Sequence, residues 1–399
     1  MSKKGMSRRD FLKSSAAGMG SFIYLSSHEK RPEERKEAPP KMVYRVLGKT
    51  GIRLPVITMG VMNTSNPALV RAALEAGMFF LDTAQGYQRG TNESMIGEVL
   101  KGRPRDSFAL ATKAHPPSDR KTGLFTEEAT EENYAKRIDR SLKNLGLDYV
   151  DIYHNHGVWT RDAALHEPTL KALEKAKKAG KIRFIGITTH RNEPEFIQAA
   201  IYSKVYDVVL TAYNYRQKHS AEVKKAIARA AEAGLGIIAM KTVGGNVGGS
   251  YEAKKIDVRA GIKWALQDPH VHTVIAGFTT FDQMELDLSI MKDMVLSRSE
   301  KENLRWAALQ PGLYCQGCGN CVSQCVNHLP IPDLMRAYMY VHGYRNMVAA
   351  QELLESLELQ SNLCGDCSSC PVQCLNRWNV SERIRNVVRL REVPSEFIA

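Results

Sequence analysis

From residue 42 onward, short apolar segments rich in β-branched residues alternate with longer segments of helical character. The short segments predict buried β-strands, and the longer ones predict helices that pack against them. Eight strands are predicted: Pro55–Met59, Met78–Asp82, Phe108–Thr112, Tyr149–Tyr153, Ile182–Ile187, Val208–Ala212, Gly236–Met240 and Thr273–Ala276. Eight helices are predicted: Pro67–Ala76, Glu93–Lys101, Thr126–Leu145, Leu165–Ala179, Pro194–Ser203, Ser220–Ala233, Lys254–Gln267 and Phe281–Met294.

This alternation predicts an α/β fold. A helix of about a dozen residues between successive strands implies parallel strands joined by right-handed crossovers. Eight such units fit a (β/α)8 TIM barrel better than an open, doubly wound sheet. The open sheet should show a G-x-G-x-x-G turn after its first strand, and none follows Met59. We therefore expect a barrel domain over residues 42–310.

All eight cysteines lie in the last quarter of the chain, in two runs with the same spacing, C-x2-C-x2-C-x3-C. This spacing suits [4Fe–4S] clusters, and in two-cluster bacterial ferredoxins the fourth cysteine of each run ligates the other cluster. Zinc sites and disulfides are the alternatives, but zinc usually takes two separated pairs of ligands. The predicted metal ligands are Cys315, Cys318, Cys321, Cys325, Cys364, Cys367, Cys370 and Cys374.

The two runs differ in detail from a compact ferredoxin. The proline that usually follows the fourth cysteine is replaced by Val326 and Leu375. The segment 331–360 between the runs is long, and its sequence predicts helices. We therefore expect residues 311–399 to form a small helical ferredoxin-like domain with two [4Fe–4S] clusters.

The sequence of the amino terminus predicts a targeting leader. Ser7–Lys13, SRRDFLK, has the twin-arginine pattern, and a short, weakly apolar stretch follows it. We predict a leader over residues 1–28 and a charged, proline-rich linker over 29–41. The expected partner is the twin-arginine export machinery, and the expected location is the periplasm or the outer face of the cytoplasmic membrane. No clear cleavage site is present, so retention as an anchor stays open.

The net charge of +12 raises the question of a nucleic-acid partner. No arginine-rich run or aromatic–basic platform occurs in the body of the chain, and part of the charge belongs to the leader. The positive charge is therefore assigned to a solvated surface, and no nucleic-acid partner is predicted.

Polar residues cluster at the carboxyl ends of three successive predicted strands, where a barrel of this type carries its active site. Asp82 and Tyr87 follow the second strand, Lys113 ends the third, and His156 follows the fourth. Each residue alone has an ordinary structural role available to it. Together on one rim they indicate a catalytic site. Three further histidines near this rim suggest either a polar pocket wall or a metal site: His115, His154 and His190.

The motifs around these residues resemble the aldo/keto reductase family. They are LDTAQGY, RGTNESMIGEVLKG, FALATK and LDYVDIYHNH, preceded by RVLGKTGIRLPVITMG. The resemblance covers about residues 42–295, and an exported, cluster-bearing subgroup extends it through the cysteine runs. It implies that Tyr87 is the general acid and that Lys113 lowers its pKa. It also implies that Asp82 orients Lys113, and that His156 hydrogen-bonds the oxygen of a small-molecule carbonyl substrate.

The same resemblance implies a nicotinamide nucleotide, NADPH or NADH, as hydride donor. The implied cofactor-binding residues are Thr188, Lys241, Gly244, Gly245 and Gly277. Leu210 stands where the family usually has a glutamine, and Leu286-Asp287 replaces a Glu-Asn pair. An aspartate there disfavours a phosphate on the ribose, so the choice between the two nucleotides stays open.

The leading hypothesis is an oxidoreductase that reduces a carbonyl to an alcohol. The alternative is an iron–sulfur electron-transfer subunit whose barrel is a vestigial scaffold. Clusters pass single electrons whereas nicotinamide passes a hydride, so the clusters are expected to serve either electron transfer or structure. Free nicotinamide nucleotide is not expected outside the cytoplasm, which makes a redox partner protein a second expected partner.

Overall fold

The computed structural model describes residues 41–398, apart from 121, 246–255, 311, 358, 361–362, 365–366 and 368. The predicted leader and nearly all of the predicted linker lie outside the described residues. The described residues belong to one compact unit. None of the helices in this part of the chain has the length and apolar character needed to span a bilayer.

The core of the fold is a closed barrel of eight parallel strands, which confirms the predicted fold class. A short antiparallel hairpin, β1 (Tyr44–Val46) and β2 (Arg53–Pro55), precedes it. The barrel strands are β3 (Ile57–Gly60), β4 (Phe80–Asp82), β5 (Ala109–Ala114), β6 (Val150–Asn155), β7 (Ile182–Thr189), β8 (Val208–Ala212), β9 (Gly236–Met240) and β10 (Thr273–Ala276). Strand β10 pairs with β3 and closes the barrel.

Apolar side chains fill the barrel from its amino-terminal end. Leu47 and Leu54 of the hairpin segment pack against Phe80, Val208 and Ile238 inside the barrel. These side chains are fully buried, and they leave the opposite end of the barrel for polar residues.

Helices alternate with the strands as predicted: α1 (Pro67–Glu75), α2 (Asn92–Leu100), α3 (Glu131–Leu145), α4 (Arg161–Ala164), α5 (Glu167–Lys178), α6 (Glu193–Ser203), α7 (Ser220–Glu232), α8 (Val258–Leu266) and α9 (Phe281–Ser289). Helix α3 begins later than the predicted Thr126. The Thr130 hydroxyl accepts a hydrogen bond from Asn133 N at 3.1 Å and caps the helix there. The predicted start of α8 at Lys254 lies outside the described residues.

The C-terminal part is helical, as the sequence predicts for the segment between the cysteine runs. Its helices are α10 (Arg298–Leu309), α11 (Asn320–Gln324), α12 (Ile331–His342), α13 (Met347–Glu355) and α14 (Val380–Val388). Helices α11 to α14 share a core that includes Leu334, Leu354, Trp378 and Ile384, whereas Leu304 of α10 packs with Ala260 of α8. Ala212, the last residue of β8, belongs to the same core, so this part packs directly on the barrel.

Helices α12 and α13 lie over the carboxyl ends of the barrel strands. The Asn346 side chain, the cap of α13, donates a hydrogen bond to Asn63 Oδ1 at 3.1 Å. Asp333 of α12 forms an ion pair of 2.7 Å with Arg191, which follows β7. The C-terminal part is therefore a cover for the end of the barrel where the sequence predicts the active site.

Gly186 of β7 provides a test of barrel packing. It pairs with His154 of β6, and a Cβ at position 186 would overlap the His154 ring. We expect Gly186→Ala to lower the free energy of unfolding by about 1–3 kcal/mol, because the added methyl overpacks the interior. Urea unfolding followed by circular dichroism measures this change.

The matched control is Gly60→Ala on β3, where the nearest atom to an added Cβ lies at 3.6 Å. This control is expected to change stability little. If the overlap is the cause, Gly186→Ala destabilises the protein less in a His154→Ala background. An equal loss in both backgrounds would contradict this explanation.

Candidate active site

A cavity of about 900 Å³ opens at the carboxyl ends of the strands, beneath α12 and α13. This volume lies toward the upper end of the range for small-molecule sites. The cavity is lined by three of the four predicted catalytic residues, Asp82, Tyr87 and His156. Lys113, the fourth, contacts Asp82.

Lys113 and Asp82 form a buried ion pair in which each side chain is 2% exposed. Lys113 Nζ also donates a hydrogen bond to the Thr83 carbonyl at 2.7 Å. Burial raises the pKa of Asp82 and lowers the pKa of Lys113, and each partner opposes the shift of the other. Asp82 Oδ2 has no hydrogen-bond partner among the described residues. The pair holds the lysine in place, which is the role expected for Asp82.

Tyr87 lies beside this pair. The Lys113 ammonium lies 5.1 Å from the centroid of the Tyr87 ring. Burial raises the pKa of Tyr87 well above its usual value, and Asp82, Tyr340 and Tyr344 add to the rise. Lys113 is not among the causes of this shift, so the expectation that it lowers the pKa of Tyr87 stays a prediction. The lysine faces the ring and is paired with Asp82, so Tyr87 keeps its proton at neutral pH.

His156 adjoins both Tyr87 and a second histidine. Its ring meets the Tyr87 ring edge-on, with centroids 6.2 Å apart. His115 stacks on the other side at 3.8 Å. Removal from bulk solvent lowers the pKa of both histidines and nearby cations add to the effect, although His115 is an exposed residue on the cavity side. Both rings are therefore neutral at physiological pH.

The other two histidines of the rim differ in position. His190 lines the cavity, whereas His154 is fully buried among the strands with both ring nitrogens unpartnered by described residues. Among the residues that the structure describes, no three His, Cys, Asp or Glu side chains could hold a metal ion. The histidines His115, His156 and His190 form part of the cavity wall.

The implied cofactor residues divide into two groups. Lys241, Gly245 and Gly277 line the cavity. Thr188 does not, because it is buried and its hydroxyl accepts a hydrogen bond of 2.8 Å from the Gly157 backbone amide.

Gly244 packs against the Arg216 side chain, and a Cβ on Gly245 would meet Met339 and the Tyr314 backbone. Both glycines have a positive φ. They allow the C-terminal part to approach the barrel closely, and their predicted role in holding a diphosphate stays a prediction.

The sequence interpretation missed the cavity residues supplied by α12 and the turn that follows it. Arg336, Tyr340 and Tyr344 all line the cavity. Lys241 Nζ lies 5.5 Å from the ring centroid of Tyr340 and 5.3 Å from that of Tyr344. No local signal marks these residues, because only long-range packing brings α12 to the strand ends.

The cysteines form two groups that cross between the runs. The first three cysteines of the first run share a small cavity with Cys374, the last of the second run. Asn376 Nδ2 donates to the Tyr314 carbonyl at 3.0 Å and joins the segments beside Cys374 and Cys315. Asn327 Nδ2 donates a hydrogen bond to the Leu363 carbonyl at 2.9 Å. This bond joins the segment after Cys325 to the segment before Cys364.

The thiols act on one another in the same two groups. Burial raises the pKa of Cys321 to about 12, with a contribution from Cys374. Burial also raises the pKa of Cys364, with contributions from Cys367, Cys325 and Cys370. All eight are free thiols in the structure.

The fold is a (β/α)8 barrel with Asp82, Tyr87, Lys113 and His156 gathered at the carboxyl ends of its strands. Residues 59–260, half of the chain, match the aldo/keto reductase family. The protein belongs to this family.

Two curated relatives illustrate the similarity. The chain is 36% identical over 164 residues to L-galactose dehydrogenase of Arabidopsis thaliana, covering 37% of this chain and 49% of the relative. It is 31% identical over 166 residues to L-glyceraldehyde 3-phosphate reductase of Escherichia coli (strain K12), covering 38% and 47%. The chain thus spans about half the length of these relatives.

A solved structure supports the fold. The holo form of aldo-keto reductase AKR11C1 from Bacillus halodurans superposes with a TM-score of 0.56 at 23% identity. The match covers 67% of this chain and 96% of that chain. The match therefore spans nearly all of that protein and leaves about a third of this chain outside it.

Asp287 of α9 predicts a pH dependence of stability. It is 5% exposed and lines the cavity, and burial raises its pKa from 3.8 to about 7. Between these values the folded state binds more protons than the unfolded state, so this group lowers stability as pH rises. The slope is at most about 1.4 kcal/mol per pH unit. Urea unfolding between pH 4 and pH 8 measures it.

Asp287→Asn should remove this contribution and stabilise the protein above pH 7. Asp282→Asn, at an exposed position on the same helix, is the control and should keep the wild-type slope. An unchanged slope in Asp287→Asn would show that the carboxyl is not buried as described.

Proposed function

We propose that this protein is an oxidoreductase that reduces an aldehyde or ketone to an alcohol with a nicotinamide nucleotide as hydride donor. The observation that carries this proposal is the convergence of Asp82, Tyr87, Lys113 and His156 at one cavity. The names of the relatives, a dehydrogenase and a reductase, support a redox reaction at a carbonyl or alcohol carbon.

The residues at the cavity would have different roles in the reduction of the carbonyl group. The nucleotide would supply two electrons as a hydride ion to the carbonyl carbon. The carbonyl oxygen then gains negative charge, and Tyr87, which holds its proton because its pKa is raised, donates that proton to the oxygen. A neutral His156 donates one N–H to the same oxygen. Lys113 contributes positive charge near the developing anion.

The cavity fits a nicotinamide nucleotide in size and in part of its lining. Its volume leaves room for a dinucleotide beside a small carbonyl compound. Lys241, Gly245 and Gly277 would hold the nucleotide. We further propose that the Asp287 carboxylate favours NADH over NADPH above pH 7, because it would repel a phosphate on the ribose.

We also propose that the crossed groups of cysteines hold two [4Fe–4S] clusters. Four thiols around each centre are the ligands that such clusters take, and thiols ligate as thiolates once iron is bound. The Gly317 backbone amide donates to Cys315 Sγ at 3.5 Å, a contact that tunes cluster potentials. The Cys318 and Cys370 side chains are exposed, which suits electron exchange with a redox partner protein.

The twin-arginine leader adds a proposed location, the periplasm or the outer face of the cytoplasmic membrane. In that compartment the nucleotide would have to be loaded before export, or electrons would have to arrive through the clusters.

A second candidate, an electron-transfer subunit with a vestigial barrel, is favoured by one observation. Thr188 and Gly244 are engaged in protein contacts rather than facing the cavity. Titration of anaerobically purified protein with NADH and NADPH separates the two candidates. Binding in the micromolar range with turnover supports the reductase, and absence of binding supports the electron-transfer subunit.

Tyr87→Phe tests the reductase directly. We expect kcat to fall by about 10²–10⁴-fold with little change in KM, because the variant loses the proton donor and keeps the cavity. The measurement is nucleotide oxidation at 340 nm with an aldehyde that the wild type reduces.

Tyr202→Phe is the control, because it removes a hydroxyl from an exposed tyrosine on α6. It should leave the rate unchanged. If Tyr87→Phe kept the wild-type rate, the assignment of Tyr87 as general acid would be wrong.

Pairs of cysteine variants test the crossed ligation. Cys325→Ala with Cys370→Ala should damage only one cluster and keep about four of about eight irons. Cys325→Ala with Cys315→Ala should damage both clusters, although these two residues belong to the same run. Iron analysis and EPR of the reduced proteins give the readout. Loss of only one cluster in the second pair would favour ligation within each run.

A further inference from the structure

Three arginines share one carboxylate at the cavity wall. Asp333 of α12 is paired with Arg191 at 2.7 Å and with Arg336 at 2.9 Å. Arg120, from the loop after β5, lines the same cavity and also interacts with Asp333. The Asp333 side chain is 6% exposed, whereas Arg120 is an exposed residue at the cavity.

The charges of this group do not balance. Burial pushes the pKa of Asp333 up, but Arg336, Arg191 and Arg120 outweigh it and hold that pKa below its usual value. The ionised Asp333 neutralises one of three guanidinium charges. Burial lowers the pKa of Arg120, and Arg336 and Arg191 add to the effect while Asp333 opposes it.

The pKa of a neighbouring lysine and the positions of the other carboxyl groups also indicate an excess of positive charge at this wall. Burial and Arg336 lower the pKa of Lys241 to about 7. Three other carboxyl groups line the cavity. Asp82 pairs with Lys113, Glu352 accepts a hydrogen bond from the Arg89 backbone, and burial raises the pKa of Asp287 to about 7, so that it is largely protonated below this pH. A partly buried surplus of positive charge is unfavourable unless an anion compensates it.

The arginines lie next to the proposed reaction centre. Arg120 and Arg336 both lower the pKa of His115, and the His115 ring stacks on His156. His156 in turn adjoins Tyr87. A compound whose carbonyl oxygen meets Tyr87 and His156 could therefore extend past His115 to the guanidinium groups. His190, on the same wall, has a buried Nδ1 without a partner among the described residues.

Part of this positive charge lies close to the first group of cysteines, the group that contains Cys315. Arg191 packs against Gly317, and both Arg191 and Arg336 interact with Cys315. These two arginines could therefore compensate an anionic cluster. Arg120 is different, because the groups that shift its pKa are Asp333, Arg336 and Arg191. Its side chain lines the cavity.

We propose that the substrate is an anionic carbonyl compound, an aldehyde or ketone with a carboxylate or phosphate group, and that Arg120 and Arg336 bind this group. The guanidinium fork matches both oxyanions with two parallel hydrogen bonds. This inference rests on the proposed reductase function and adds the substrate class. The anion is fixed at one end, and the carbonyl lies between Tyr87 and His156.

Three aldehydes test the inference: succinic semialdehyde with a carboxylate, glyceraldehyde 3-phosphate with a phosphate, and neutral butanal. The wild type is expected to favour one or both anionic aldehydes over butanal by at least about ten-fold in kcat/KM. The anion with the higher value identifies carboxylate or phosphate. Arg120→Gln should reduce the preference over butanal by about ten- to hundred-fold. Arg298→Gln, at an exposed position on α10, should leave it unchanged.

Calorimetry on the cluster-containing protein separates this inference from the proposed reaction. Succinate and inorganic phosphate are the probes, and iron content with circular dichroism confirms that each variant is folded. If no aldehyde is reduced, the proposed function fails, but anion binding that weakens in Arg120→Gln still supports the anion site. If the wild type binds neither probe and does not prefer an anionic aldehyde, the inference is overturned. An unchanged preference in folded Arg120→Gln also overturns it.

Discussion

The Lys113 ammonium lies inside the barrel, and the active-site geometry depends on how this charge is compensated. An uncompensated charge at such a depth costs several kcal/mol. Asp82 provides the compensation because β4 and β5 pair in a register that sets Asp82 beside Ala111, two residues before Lys113. A slip of one residue would send these side chains to opposite faces of the sheet. The ion pair at the candidate site therefore depends on the register of β4 against β5.

Much of this arrangement could be predicted from the sequence because its signals are local. The strands are short apolar segments, and Asp82, Tyr87, Lys113 and His156 follow or end three of them. The pKa of Tyr87 could not be predicted in the same way. Tyr340 and Tyr344 raise it from more than 250 positions away, and only the packing of α12 on the strand ends brings them there.

The same packing changes how the glycines after β9 are understood. Two glycines at a strand end indicate a backbone that something approaches closely. The sequence alone suggests a diphosphate. In the structure, Met339 of α12 lies where a Gly245 side chain would be, and Arg216 lies against Gly244. Protein groups therefore approach both glycines closely, and their predicted role in holding a diphosphate stays a prediction.

The C-terminal part lies between two proposed sites, a cluster and a substrate anion, that would each be stabilised by positive charge. Arg191 and Arg336 lie between the cavity and Cys315, so a cluster on one side and a substrate anion on the other would draw on the same guanidinium groups. Binding of either anion would weaken the interaction of these arginines with the other anion, because one positive charge cannot fully compensate two negative partners. Asp333 limits this competition by fixing both side chains in place, and Arg120 remains for the cavity. The proposed anion site therefore depends most on Arg120, the arginine whose pKa the cysteines do not influence.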